Sequence, residues 1–87
     1  MLSDAMIIDL CFERNEHAIE ALKHKYGLYC FTVARRILGS DSLAEECVDD
    51  ALMAFWQAVP PARPLYLSAY LARLVRNRAV NSLDYMR

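Results

Sequence analysis

The residues of this chain that could do chemistry are charged side chains gathered in two neighbouring segments of opposite sign. Five carboxylates fall within positions 41–50, which contain no Lys or Arg: Asp41, Glu45, Glu46, Asp49 and Asp50. Beyond prolines 60, 61 and 64 the sign reverses, and the remaining charges are Arg73, Arg76, Arg78 and Arg87 against Asp84. The net charge of -1 conceals this division. Like charges on one helix are destabilising unless a partner of opposite charge binds them, so the pattern favours two binding surfaces. The alternative interpretation is that the charges lie on the solvated faces of a polar helical bundle.

Catalytic and metal chemistry have little support. The chain contains no Gly-rich phosphate loop, no G-x-S-x-G and no H-E-x-x-H, so the sequence predicts neither an enzyme nor a cofactor. The acids at 45–50 could bind a divalent ion only with a further ligand from another helix. Cys11, Cys30 and Cys47 match no usual zinc spacing with the histidines, which predicts reduced thiols packed as small apolar groups and no metal.

Nucleic-acid binding is better supported, by the segment that follows the prolines. Arg73 and Arg76 offer guanidinium groups to phosphates, and Asn77 could reach a base edge or a sugar. Tyr66 and Tyr70 lie beside the proline-rich loop, where an unstacked base could rest on a ring. The alternative places Tyr70 in the core and the arginines on a solvated face. The grouping of loop, aromatic rings, arginines and Asn77 favours a nucleic-acid interface.

The elements that must position these residues are helices, because only two glycines occur and no segment alternates apolar and polar residues long enough for a strand. Ser3 and Asn15 are candidate N-caps, Gly39 is a candidate C-cap, and Asp41 or Ser42 is the candidate N-cap of the acidic helix. The sequence predicts a single all-α domain over 1–87, a small bundle of four to five helices. They are expected at about 3–12, 15–38 (kinked or split near 26–27), 41–58 and 65–86.

Composition indicates the cytoplasm. No run of about eighteen uncharged apolar residues occurs, so no membrane span is expected, and the start lacks the basic and apolar regions of a signal peptide. Apolar residues nevertheless make up 56% of this short chain. Such a surplus also favours an apolar surface that a partner or a second copy covers.

Four ordered segments carry a resemblance to a known family. They are Ala18–Leu22 with Lys25-Tyr26, Ala34–Gly39, Ala44–Asp50 running to Trp56, and Leu67–Leu71 running to Arg76–Ala79. With this order and spacing, the chain from about Asn15 to Leu83 resembles region 2 of bacterial RNA polymerase sigma factors of the extracytoplasmic-function class.

The resemblance implies a partner for each charged segment. The acidic helix is expected to dock on the clamp helices of the polymerase beta-prime subunit, through Glu46, Asp49, Asp50 and Met53. The loop at 59–68 and the last helix are expected to bind the non-template strand of the −10 promoter element. The residues implied there are Arg63, Ser68, Arg73, Arg76 and Asn77, with a flipped base held in the loop. The expected function is core binding and promoter recognition and melting in transcription initiation.

The chain departs from the family pattern at three positions. Asp49 stands where the family usually has Gln, which implies an altered clamp contact. Asn81 stands where the family often has Asp, and Asp84 where it often has a basic residue, which implies a less positive DNA-facing surface. Region 4, the helix-turn-helix that reads the −35 element, does not occur within these residues, so the chain is either a domain of a longer protein or a divergent short relative. The alternative function is a helical protein-interaction domain, with an anti-sigma factor or a second copy as partner.

Overall fold

Four helices make up the structure, a computed structural model that describes residues 1–86. They are α1 (Asp4–Phe12), α2 (His17–Leu38), α3 (Asp41–Ala58) and α4 (Leu67–Met86). No strand occurs within these residues, and the predicted all-α bundle is confirmed. Arg87, counted above among the arginines of the last helix, lies outside the described residues.

Three helix ends, the start of α1, the end of α2 and the start of α3, follow capping chemistry. Ser3 Oγ accepts a hydrogen bond from the Met6 amide at 3.2 Å, as predicted for the start of α1. Gly39 ends α2 with φ 70°, the left-handed conformation that Gly adopts without steric cost. The prediction that Asp41 or Ser42 caps α3 is wrong, because the extended residue after Gly39 is Ser40, whose Oγ accepts from the Leu43 amide at 3.3 Å.

Helix α2 runs unbroken through Gly27 for 22 residues, so of the two expectations near 26–27, a kink or a split, the split does not occur. A glycine inside a helix costs about 1 kcal/mol relative to alanine. Leu22, Cys30 and Ala34 are fully buried on both sides of Gly27, and burying a single large apolar side chain contributes about 1.5–3 kcal/mol. The packed face therefore keeps the helix continuous.

The core lies where α2, α3 and α4 pack together. Its largest buried side chain is Phe55 on α3, whose ring meets the ring of Tyr70 edge-on at a centroid distance of 5.8 Å. Leu71 and Val75, spaced by one helical turn on α4, are fully buried in the same core. Within residues 1–85, every buried side chain is apolar, which leaves the charged groups on the surface.

Helix α1 is attached to α2 by its buried face and by a polar cluster at its start. Ile7 is fully buried, and the Asp4 carboxylate accepts from Lys25 Nζ at 2.7 Å and from the Tyr26 hydroxyl at 2.8 Å. The Lys25 hydrogen bond holds the pKa of Asp4 below its usual value, against the opposing effect of burial. Burial, followed by the Asp4 contact, raises the pKa of Tyr26 to about 12.

None of the helices in the part of the chain that the structure describes has both the length and the apolar character that crossing a bilayer requires.

Candidate functional site

Five side chains on the exposed side of α3 form what we call the acidic surface: Glu45, Glu46, Asp49, Asp50 and Met53. The other side of the helix buries Ala44, Val48 and Ala51, so the core fixes the direction in which the acids point. Met53 is 48% exposed and adds an apolar contact to the carboxylates. The acidic surface therefore suits a basic protein partner that also offers an apolar contact.

A cation borders the acidic surface on each side. Lys23 of α2 lies 3.5 Å from Asp49 Oδ1, beside a groove of about 460 Å³ between α2 and α3. Arg78 of α4 shares a groove of about 430 Å³ with Glu46 and Asp50. The charge count of the sequence placed Arg78 with the other arginines of the last helix, but the structure places it next to the acids.

The second surface lies on α4 and the loop before it. We call Arg73, Arg76 and Asn77 the arginine surface; all three are exposed, on the side of α4 that faces away from buried Leu71 and Val75. Arg73 and Arg76 line one open depression of about 450 Å³, together with Pro64, Leu65, Tyr66, Ala69 and Tyr70. The structure thus brings two predicted cations and two aromatic rings to one place.

The two tyrosines of this depression have different environments. Tyr66 is 71% exposed, so its ring is accessible to a ligand. Tyr70 is half-buried because it packs on Phe55, and Arg73 Cζ lies 5.7 Å from the centroid of the Tyr70 ring. Tyr66 is therefore the better platform for an unstacked base, while Tyr70 joins the depression to the core.

Arg63 and Ser68 lie apart from the arginine surface. The Arg63 guanidinium sits 4.2 Å from the centroid of the Phe12 ring and 3.6 Å from the Asp9 carboxylate, both on α1. It is not among the residues that line the depression. Ser68 is exposed in the first turn of α4. Of the five residues predicted to contact DNA, Arg73, Arg76 and Asn77 share one helix face.

Sequence reasoning missed Arg14, which joins the turn between α1 and α2 to the end of α3. Its Nη1 donates to the carbonyl oxygen of Val59 at 2.9 Å and to that of Trp56 at 3.1 Å. Its Cζ lies 3.7 Å from the centroid of the Trp56 ring, a cation–π contact. Pro60 was the available signal that the end of α3 needs another donor. In a continuing helix the Trp56 carbonyl would accept a hydrogen bond from the N–H of residue 60, and a proline has none.

The cysteines are free thiols in the core. Cys11, Cys30 and Cys47 are all buried, and burial raises the pKa of Cys30 to about 11, with a further contribution from Cys47. Within residues 1–86, no three side chains of the His, Cys, Asp or Glu type come together as metal ligands. The arrangement on the two surfaces supports binding through charge and aromatic contact.

Comparison with protein families finds a match. The family model described as Sigma-70 region 2 matches residues 16–86, which include α2, α3 and α4 and leave α1 outside. No curated protein and no solved structure matches the chain significantly.

Proposed function

This chain belongs to the Sigma-70 region 2 family, and from that membership we propose that it is a binding module of transcription initiation with two partners. The acidic surface binds the clamp helices of the RNA polymerase core. The loop at 59–66 and the arginine surface bind the non-template strand of an opened −10 promoter element. The proposal includes no catalytic step and no cofactor, and it places the chain in the cytoplasm with the polymerase.

The observation that carries the proposal is the depression lined by Tyr66, Arg73 and Arg76. Both arginines are exposed, and neither takes part in an ion pair found within residues 1–86. Their charges are therefore available to phosphates. Extruding a base costs a few kcal/mol, and stacking on an exposed ring such as Tyr66 returns about 1–3 kcal/mol.

The polymerase contact is supported by charge and by an apolar contribution. Glu46, Asp49 and Asp50 point to solvent from one helix, and Met53 lies one turn beyond Asp49 and Asp50 on the same surface. Acids on a rigid helix attract a basic partner and orient it, while the apolar contact adds affinity that salt does not screen. Asp49 keeps a 3.5 Å contact with Lys23, so we expect it to contribute less than Glu46.

The polymerase contact can be tested by co-elution of the chain with core polymerase on a sizing column. Glu46→Lys is expected to abolish co-elution, because it places a cation against a basic partner. The matched control is Glu13→Lys, which makes the same charge change at an exposed residue at the end of α1. Equal co-elution of both variants would remove the acidic surface from the proposal.

The DNA contact is tested with a promoter oligonucleotide in single-stranded and duplex form. Tighter binding of the single strand is expected, with affinity that falls as salt rises. Arg76→Ala is expected to weaken this binding and to reduce its salt dependence, whereas Arg36→Ala, which removes an exposed arginine of α2, is the control. A preference for duplex, or equal losses in the two variants, would contradict an interface at the arginine surface.

A second candidate function has one observation in its favour. Leu28 is 81% exposed and its neighbour Tyr29 is 44% exposed on α2, which suits a protein-interaction domain that binds an anti-sigma factor or a second copy. Binding of such a partner that is unchanged in Arg76→Ala but lost in Leu28→Lys would support this function instead.

A further inference from the structure

Arg14 has a backbone conformation that its residue type does not favour. It follows the end of α1 with φ 56°, its amide donates to the Cys11 carbonyl at 3.0 Å, and the Asn15 amide donates to the Leu10 carbonyl at 2.9 Å. These are the two hydrogen bonds of a Schellman motif, whose left-handed position is usually Gly. The turn itself does not favour an arginine over a glycine, so the contacts of the side chain outside the turn must account for it.

The side chain is used at the end of α3. Pro60 has no N–H, so the Trp56 carbonyl lacks its helical donor, and Arg14 Nη1 donates to it and to the Val59 carbonyl. A cation at a helix C-terminus also interacts favourably with the helix dipole. Val59 is fully buried. Arg14 therefore ties the end of α3 and the start of the loop at 59–66 to the turn that follows α1.

The same loop has a second anchor near its other end. Arg63 stacks on Phe12 and lies 3.6 Å from Asp9, so its guanidinium is held against α1. The next residues, Pro64, Leu65 and Tyr66, line the depression beside the arginine surface. Two arginines thus attach the loop to α1 and to the turn that follows it, which lie outside the matched residues 16–86.

We propose that Arg14 and Arg63 are positioning residues that hold the loop at 59–66 in the shape that receives an unstacked base. The inference rests on the proposed function, and it gives Arg63 a role through the loop instead of through a phosphate. A loop that is already ordered does not lose conformational entropy when it binds the base, so the affinity for the base is higher. A helix outside the family match thereby contributes to base capture.

The test needs a probe that separates base capture from phosphate binding. A 12-nucleotide single strand is selected from a random pool by the unmodified chain, and each nucleotide is then replaced in turn by an abasic residue. The position with the largest loss of affinity marks the captured base. We expect a loss of about 5- to 150-fold there, the range for one base stacked on an aromatic ring.

Arg14→Gly is the variant of choice because Gly suits the left-handed turn while the side chain is lost. We call the loss of affinity caused by abasic replacement of the captured base the abasic loss. For Arg14→Gly we expect the abasic loss to fall below twofold, with unchanged affinity for the abasic strand. The fluorescence of Trp56, the single tryptophan of the chain, should change as its cation–π partner is removed. Arg36→Ala should retain the full abasic loss and the original fluorescence.

Arg63→Ala tests the same loop through an exposed side chain, and so does not depend on the folding of an Arg14 variant. As a positioning residue, Arg63 should affect only the strand that carries the captured base. Equal weakening of the intact and the abasic strand, with a smaller salt dependence, would identify Arg63 as a phosphate contact and overturn its part of the inference.

Two further results separate this inference from the proposed function. If Arg14→Gly changes Trp56 fluorescence but keeps the full abasic loss, the positioning role of Arg14 is wrong and the proposed function stands. If the unmodified chain shows no abasic loss at any position, or binds equally well after Arg76→Ala, the proposed function itself is wrong.

Discussion

The left-handed conformation of Arg14 predicts an inversion in the effect of glycine on stability. At this position Arg14→Gly should leave the protein more stable than Arg14→Ala, although Gly is ordinarily the less stabilising residue. The matched pair is Arg36→Gly and Arg36→Ala, at an exposed position within α2 with helical geometry. There the order should be the usual one.

The magnitude follows from backbone geometry and from the lost contacts. Both Arg14 variants lose the hydrogen bonds to the Val59 and Trp56 carbonyls, each worth about 1.5–3 kcal/mol for a charged donor. Both also lose the cation–π contact with the Trp56 ring, worth about 0.5–1 kcal/mol. They differ in the turn: a non-Gly residue at φ 56° costs about 1–2 kcal/mol, and the greater freedom of Gly in the unfolded chain offsets about 0.4–1 kcal/mol. The midpoints of these ranges make the Gly variant more stable than the Ala variant by roughly 0.8 kcal/mol at position 14. At position 36, in the last turn of α2, the Gly variant should be the less stable by up to about 1 kcal/mol.

The assay is urea unfolding followed by far-ultraviolet circular dichroism, with the slope of the transition held in common for the four variants. Comparing the two replacements at each position cancels the lost side-chain contacts, since both replacements lack them. The reasoning is refuted if Ala is as stable as Gly at position 14, or if positions 14 and 36 give differences of the same sign.

Two predictions concern titrating groups in the rest of the molecule. The folded chain lowers the pKa of Asp4, so the stability from its contacts with Lys25 and Tyr26 is present above the ordinary value of 3.8 and is lost as pH falls further. In urea unfolding, the free energy of unfolding of Asp4→Asn should therefore approach that of the unmodified chain in acid. A difference in this free energy that does not change with pH would contradict the prediction. Because Cys30 is buried with a pKa raised to about 11, its labelling by a thiol reagent at neutral pH should follow unfolding, and rapid labelling of the native chain would show that the core is open.

The helices could be predicted from the sequence because their signals are local. Ser3, Gly39 and the proline run mark boundaries through caps and missing donors that act within one turn of the chain. Helix α2 ends at Leu38 and helix α3 spans Asp41–Ala58, where the sequence led us to expect an end at about 38 and a span of about 41–58. Gly27 and Ser40 show the limit, since tertiary packing kept α2 continuous and the α3 cap is Ser40, one residue before Asp41 and two before Ser42.

The candidate site was only partly predictable. The spacing of Arg73, Arg76 and Asn77 by three or four residues puts them on one helix face in any packing. Whether that face points to solvent depended on which side of α4 the core covers. The positions of Arg63 and Arg78 could not be obtained in this way, because each is defined by contacts with another helix: Arg63 with α1 and Arg78 with the groove beside Glu46.

The sequence by itself predicted an all-α bundle of four to five helices and two segments of opposite charge, because periodicity, capping and charge spacing are properties of neighbouring residues. The family was indicated by the resemblance of four ordered segments. Only the tertiary structure decided which charges are available to a partner and which hold the fold together. Arg14 shows the physical reason. A carbonyl left without a donor by Pro60 can be satisfied by any cation in reach, and only the placement of the turn between α1 and α2 beside the end of α3 brought this one within 3.1 Å.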